Sequence, residues 1–186
     1  MTAFIILPGG WAGGWQSRQV AGLLKYAGRT VFSPTFTYLS QPVRPSHPEE
    51  VLNTHVQDVL SLIERENVRD IILVGFDLSG DVVTRVAQLM PERIRHLAYV
   101  DARAPENVSQ MTDSLRLGLR LPSEMAAPAL PHTYLRCTAK SWFAAATAPA
   151  AYNARAAGWA YWELPLDDTS RVAMPEELAG KLLELA

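Results

Sequence analysis

Residues 71–80 read Ile-Ile-Leu-Val-Gly-Phe-Asp-Leu-Ser-Gly, and Asp-Val-Val-Thr-Arg-Val-Ala-Gln-Leu-Met follows at 81–90. Four consecutive apolar residues, Ile71 to Val74, suit a strand buried on both faces. Beyond the turn, Val82, Val83, Val86, Ala87 and Met90 recur at the spacing of one helix face, so the sequence predicts a helix from Ser79 onward. A strand, a sharp glycine-lined turn and a helix form the setting of a nucleophile elbow, where one side chain is held strained and exposed at the carboxyl end of a sheet. The usual pattern is G-x-S-x-G. Here Asp77 stands at the central position.

Outward from this stretch, strands and helices alternate. Phe4–Leu7 is an apolar run entering the loop Pro8-Gly9-Gly10, and a helix with Val20, Leu23, Leu24 and Ala27 on one face stops at Gly28. Thr30–Ser33 reads as a strand and Tyr38–Pro48 as a proline-rich loop. Glu49–Asn67 reads as a helix with Leu52, Val56, Val59, Leu60 and Ile63 inward. Strands are expected at Ile94–Val100, His132–Thr138 and Trp159–Leu164. A last helix starts at Pro175, with Glu176 and Glu177 favoured in its first turn. The alternation, with strands apolar throughout, implies an α/β fold with a mostly parallel sheet and helices on both faces.

With 186 residues, 48 % of them apolar, the chain suits one domain spanning 1–186. A formal charge of −2 gives no reason to expect nucleic acid as a partner. Cys137 is the single cysteine, which excludes an intramolecular disulfide and fits a reducing compartment. No apolar run approaches the ~20 residues of a membrane span, and the opening MTAFIILPGG lacks a basic leader pattern. A cytoplasmic protein is therefore expected, without membrane partners.

Four stretches resemble the α/β-hydrolase superfamily, in particular its small esterase and hydroxynitrile-lyase-like members: LPGGWAGGW at 7–15, PTFTYLS and NTHVQDVL within 34–60, LVGFDLSG and PERIRHLAYVDA within 73–102, and ELPLDDTSRVAMPEELA at 163–179. The resemblance implies the α/β-hydrolase fold. It also implies a triad whose serine, acid and histidine places fall here on Asp77, near Lys140, and on Asp168. The family's first-loop histidine is replaced by Pro8. Its oxyanion hole would use the backbone N–H groups of Gly10 and Leu78, which need no particular side chain. A helical cap is implied between the strand ending at Val100 and the strand at 132, but only 103–131 is available, so the cap is reduced to a short segment. Within it, 114–122 alternates leucine with polar residues, which suits an extended piece laid over the sheet or an edge strand for a partner, a homodimer included.

These departures lead to three readings. The first is a cofactor-independent enzyme in which Asp77 and Asp168 share a proton and act as a general acid–base couple on a small apolar organic molecule. It would be a cyclase, lyase, dehydratase or epoxide-opening enzyme, would leave p-nitrophenyl esters untouched, and would use Trp11, Phe76 and Lys140 at the substrate. The second is a catalytically dead accessory protein. The third is a hydrolase using Asp77 as nucleophile, of the kind found in epoxide hydrolases and dehalogenases, although cleavage of its ester intermediate wants a histidine. His55 and His96 read as structural, and His47 and His132 as bystanders. Trp15, Trp142, Trp159 and Trp162 are further candidates to line a pocket. The scattered histidines and the lone cysteine show no metal-ligand spacing, so no metal site is expected.

Overall fold

The computed structural model describes residues 2–9, 15–37, 48–104, 129–137, 142–164 and 175–186. Asp168, Lys140, Gly10, Trp11, His47 and the leucine alternation at 114–122 lie outside these residues, as does most of the expected cap segment.

The elements run β1 (Ala3–Leu7), α1 (Trp15–Tyr26), β2 (Thr30–Phe32), α2 (Pro48–Arg65), β3 (Ile71–Phe76), α3 (Gly80–Leu89), β4 (Ile94–Val100), β5 (His132–Cys137), α4 (Trp142–Ala156), β6 (Ala160–Leu164) and α5 (Pro175–Leu183). Among the described residues, six strands lie in one parallel sheet, in the order β2-β1-β3-β4-β5-β6. This is the α/β-hydrolase architecture. Among the described residues no helix is long and apolar enough to cross a membrane.

Alternation along the strands feeds two cores. Ile5, Leu7, Ile71, Leu73, Leu97, Tyr99 and Tyr134 face one layer, where Val59 and Ile63 of α2, Val83 and Val86 of α3, and Ala150 and Ala154 of α4 close over them. Phe4, Ile6, Ile72, Val74, Ala98 and Leu135 face the other, covered by Val20 and Leu24 of α1 and Leu178 and Leu182 of α5. Both faces being covered explains why β1 and β3 are apolar without interruption, whereas β4 and β5 carry Arg95, His96 and Arg136 as well.

Helix α4 is an element that periodicity does not reveal. Its sequence, WFAAATAPAAYNARA, has weak amphipathic contrast and an internal Pro149. Alanine's intrinsic helix preference and the packing of small side chains against β5 and β6 stand in for an apolar stripe. Elsewhere the elements differ from the sequence reading by one or two residues, except that a single 3-10 turn, Asp77–Ser79, separates β3 from the helix proper.

At the amino ends of the strands, Thr2, Asp70 and Arg95 tie β1, β3 and β4 together. The Thr2 hydroxyl donates to Asp70 Oδ2 at 2.7 Å, and Arg95 approaches the same oxygen at 3.4 Å. At the carboxyl ends the chain direction reverses its progress across the sheet: β1 leads outward to β2, and β3 returns to the other side of β1. The crevice beyond β1 and β3 is therefore a topological switch point, the usual place for a ligand in an open α/β sheet.

Candidate active site

Asp77 follows β3 directly at that switch point, with φ of 53°. A left-handed conformation costs a non-glycine residue about 1–2 kcal/mol, so its surroundings must impose it. Two backbone donors converge on its carbonyl: the N–H of Gly80, and the N–H of Arg103 at 3.0 Å. Glycine is required on both sides. A Cβ on Gly75 would stand 2.6 Å from Val83 Cγ2, and one on Gly80 would stand 1.7 Å from the Arg103 carbonyl oxygen. The helix start thus lies against the chain leaving β4, and only glycine permits that approach.

Two residues after Asp77 comes Ser79, the serine of this turn, and it faces inward. It is 3 % exposed. Its hydroxyl accepts the Phe76 N–H at 2.8 Å and donates to the Phe76 carbonyl at 2.7 Å, with the Leu7 carbonyl 3.3 Å away. Ser79 closes the turn and bridges to β1. The side chain offered at the apex belongs to Asp77, and Leu78 beside it is 45 % exposed, which leaves the apex open to a ligand.

A second aspartate that the sequence reading did not place in the site follows the neighbouring strand at the same level. Phe76 and Val100 are register partners, so Asp77 and Asp101 leave adjacent parallel strands side by side. Asp101 is 1 % exposed and also left-handed, with φ of 40°. Its N–H donates to the Leu135 carbonyl at 2.9 Å, which fixes it to β5. The next strand end carries Arg136. Its guanidinium is held in the charged form first by a hydrogen bond with the Tyr161 side chain, with the Glu163 and Asp101 charges adding to this. Ala102 is fixed in turn, since the Tyr134 hydroxyl donates to its carbonyl at 3.0 Å. A run ending in V-D directly after a buried strand was the available sequence signal.

Beneath the elbow, Thr84 donates to the Gly80 carbonyl at 3.0 Å and lies 3.0 Å from the Tyr99 hydroxyl. Burial, first of all, keeps that phenol un-ionised. Among the described residues no three histidine, cysteine, aspartate or glutamate side chains gather as a metal site.

Other candidates lie elsewhere. Phe76 points into the core under α1 and α5. Trp159 and His132 stack on each other with centroids 4.2 Å apart, beside Tyr99. They precede β6 and open β5 level with Leu97, midway along β4, and so stand short of the carboxyl end that carries Asp77. Trp162 lies on the α5 side with the Lys181 ammonium 5.2 Å from its ring. His96 accepts or donates at Thr133 Oγ1, 2.8 Å away, and His55 stacks on Phe36, so both have the structural role expected of them.

A parallel sheet with an elbow at its switch point defines a class, and the sequence agrees: residues 4–183 match the alpha/beta hydrolase family, and the chain belongs to it. A curated relative, the carbendazim hydrolyzing esterase of Nocardioides sp. (strain SG-4G), is 41 % identical over 129 residues, covering 68 % of this chain and 52 % of the relative. The chain thus spans about half the length of that relative. Among solved structures, the pyrethroid hydrolase PytH superposes with a TM-score of 0.78 at 19 % identity, covering 99 % of this chain and 96 % of the other. A methylesterase from Arabidopsis superposes with a TM-score of 0.74 at 16 % identity, covering 99 % and 98 %. At such identities these two speak for the fold.

The 41 % identity to an esterase overturns the expectation of cyclase, lyase, dehydratase or epoxide-opening chemistry. The relationship points to hydrolysis. The physical reason the sequence misled is that a changed side chain at the apex was read as a changed reaction, although the strained backbone that presents it is intact.

Proposed function

We propose that this chain is a hydrolase of esters, with Asp77 as the reacting side chain. The observation that carries the reading is the elbow itself: a half-buried aspartate at φ 53° over the switch point, with the neighbouring serine locked inside. The esterase relative supports the reaction class.

In this mechanism the Asp77 carboxylate accepts a proton from a water molecule as the water oxygen bonds to the ester carbonyl carbon. The developing oxyanion is met by the Leu78 N–H, and by that of Gly10 if the family's arrangement holds. The tetrahedral intermediate then expels the alcohol oxygen, which takes its proton back from Asp77, leaving acid and alcohol. A carboxylate is ionised at neutral pH but is a weaker base than imidazole, so turnover should be slower than that of a histidine-assisted esterase. Asp168 would serve as a second carboxylate facing Asp77, and Trp11 and Lys140 would contact a small, largely apolar substrate. The single Cys137 favours a cytoplasmic setting, without need of a cofactor.

Hydrolysis of a p-nitrophenyl ester in heavy-oxygen water tests the reading. Turnover lost in Asp77→Asn, with label entering the product acid and not Asp77, is the expected result. Label in the Asp77 carboxyl after one turnover would replace the water mechanism with a covalent one, and turnover unchanged in Asp77→Asn would overturn the assignment.

A further inference from the structure

We infer that Arg103 and Asp81 form a latch that positions Asp77, an inference that rests on Asp77 being the reacting residue. The Arg103 guanidinium meets Asp81 Oδ2 at 3.1 Å, and the two side chains are only 21 % and 14 % exposed. An ion pair this sheltered is screened less than a surface pair. Asp81 lies in the first turn of α3, where the positive end of the helix also favours its charge.

The latch acts on the backbone of residue 103, which touches the elbow twice. Its N–H donates to the Asp77 carbonyl, and its carbonyl occupies the space beside Gly80 that a Cβ would fill. The Asp77 carbonyl is held by donors from both sides, and these hold Asp77 in its left-handed conformation. The Gly80 donor comes from within the same turn and moves with it. The Arg103 donor comes from the chain leaving β4, so it is the external reference that fixes the turn against the sheet.

Loss of the pair should therefore misplace the carboxylate without dismantling the sheet. Small errors in the placement of a reacting group cost rate more than binding. Asp81→Asn and Arg103→Met should each lower kcat on a p-nitrophenyl ester about tenfold with KM changed less than about twofold. Arg103→Lys should recover most of the loss, as should the exchanged pair Asp81→Arg with Arg103→Asp. Amide hydrogen exchange supplies a readout independent of turnover. The Arg103 N–H should exchange about tenfold faster in Asp81→Asn, while Ile72, Leu73 and Val74 keep their protection. Parent-like exchange at Arg103 in Asp81→Asn, or equal loss of protection along β3, would overturn the latch. Absence of ester turnover in the parent would instead sink the proposed reaction, and the exchange measurement would still decide the latch.

Discussion

Both ends of this sheet carry residues forced into the left-handed region, and they are forced there differently. At the amino end, Asn67 and Asp70 have φ of 47° and 55°. Asn67 caps α2, where the N–H groups of Glu66, Asn67 and Val68 fold back onto carbonyls of Leu62, Glu64 and Ile63. Asp70 is held by Thr2 and Arg95 near solvent, and the Thr2 hydrogen bond, foremost, keeps its carboxyl ionised. Asn and Asp adopt such turns readily. At the carboxyl end, Asp77 and Asp101 reach the same region through packing: beside Asp77, glycines with no room for a Cβ, a buried serine and an N–H donated by Arg103, and at Asp101 an N–H donated to the Leu135 carbonyl of β5. Strain that local turn chemistry explains is punctuation, whereas strain that tertiary contacts must impose marks a site.

The comparison breaks most sharply at the apex. Asp77→Asn should lower ester hydrolysis at least about 100-fold, the ordinary effect of removing an acid–base group, with the melting temperature unchanged because asparagine tolerates positive φ. Asp70→Asn, the matching change at the amino end, should leave turnover as it is. Gly80→Ala should be the most damaging to stability, by about 1–3 kcal/mol in chemical denaturation, because the Arg103 carbonyl has nowhere to go. Asp101→Asn should reduce turnover by about tenfold, because it removes the charge between Asp77 and Arg136 and leaves the backbone bond to Leu135 in place.

The smallest expected effect belongs to the amino end, and it is one of pH. Burial, with His132 and Arg95 adding to it, lowers the His96 pKa to about 4. Burial lowers His132 as well. The unfolded chain then binds protons that the folded chain refuses. This contribution to stability is complete above about pH 6.5 and is lost as pH falls toward 4. The ring is only partly buried, so the loss amounts to about 1–2 kcal/mol after allowing for solvent screening. Urea titrations from pH 7 to 4 should show this slope, and His96→Gln should flatten it.

How much could be read in advance follows from the same contrast. The sheet was legible because β1 and β3 are apolar on both faces and β1, β3 and β4 run straight into a proline or an aspartate. The elbow was legible because strand, turn and helix are contiguous in sequence. Asp101 was not, since its place beside Asp77 depends on the register of β3 with β4. Helix α4 lacked a stripe. Trp159 and His132 were candidates by residue type, yet each stands at the start of a parallel strand. Strand direction alone was enough to put them short of the carboxyl end that carries Asp77.

The interior position of β1, between β2 and β3, also governs how the chain assembles. Phe4, Ile5, Ile6 and Leu7 are fully buried between β2 and β3. They leave the ribosome before the rest of the sheet, and their second neighbour, Ile71–Phe76, emerges more than 60 residues later. Until then β1 carries an open apolar edge, and the Thr2–Asp70–Arg95 tie cannot close. Such long-range parallel pairing makes folding slow and leaves the nascent chain exposed to aggregation. The elbow, which needs Leu7, Asp77 and Arg103 together, forms only after most of the sheet is in place.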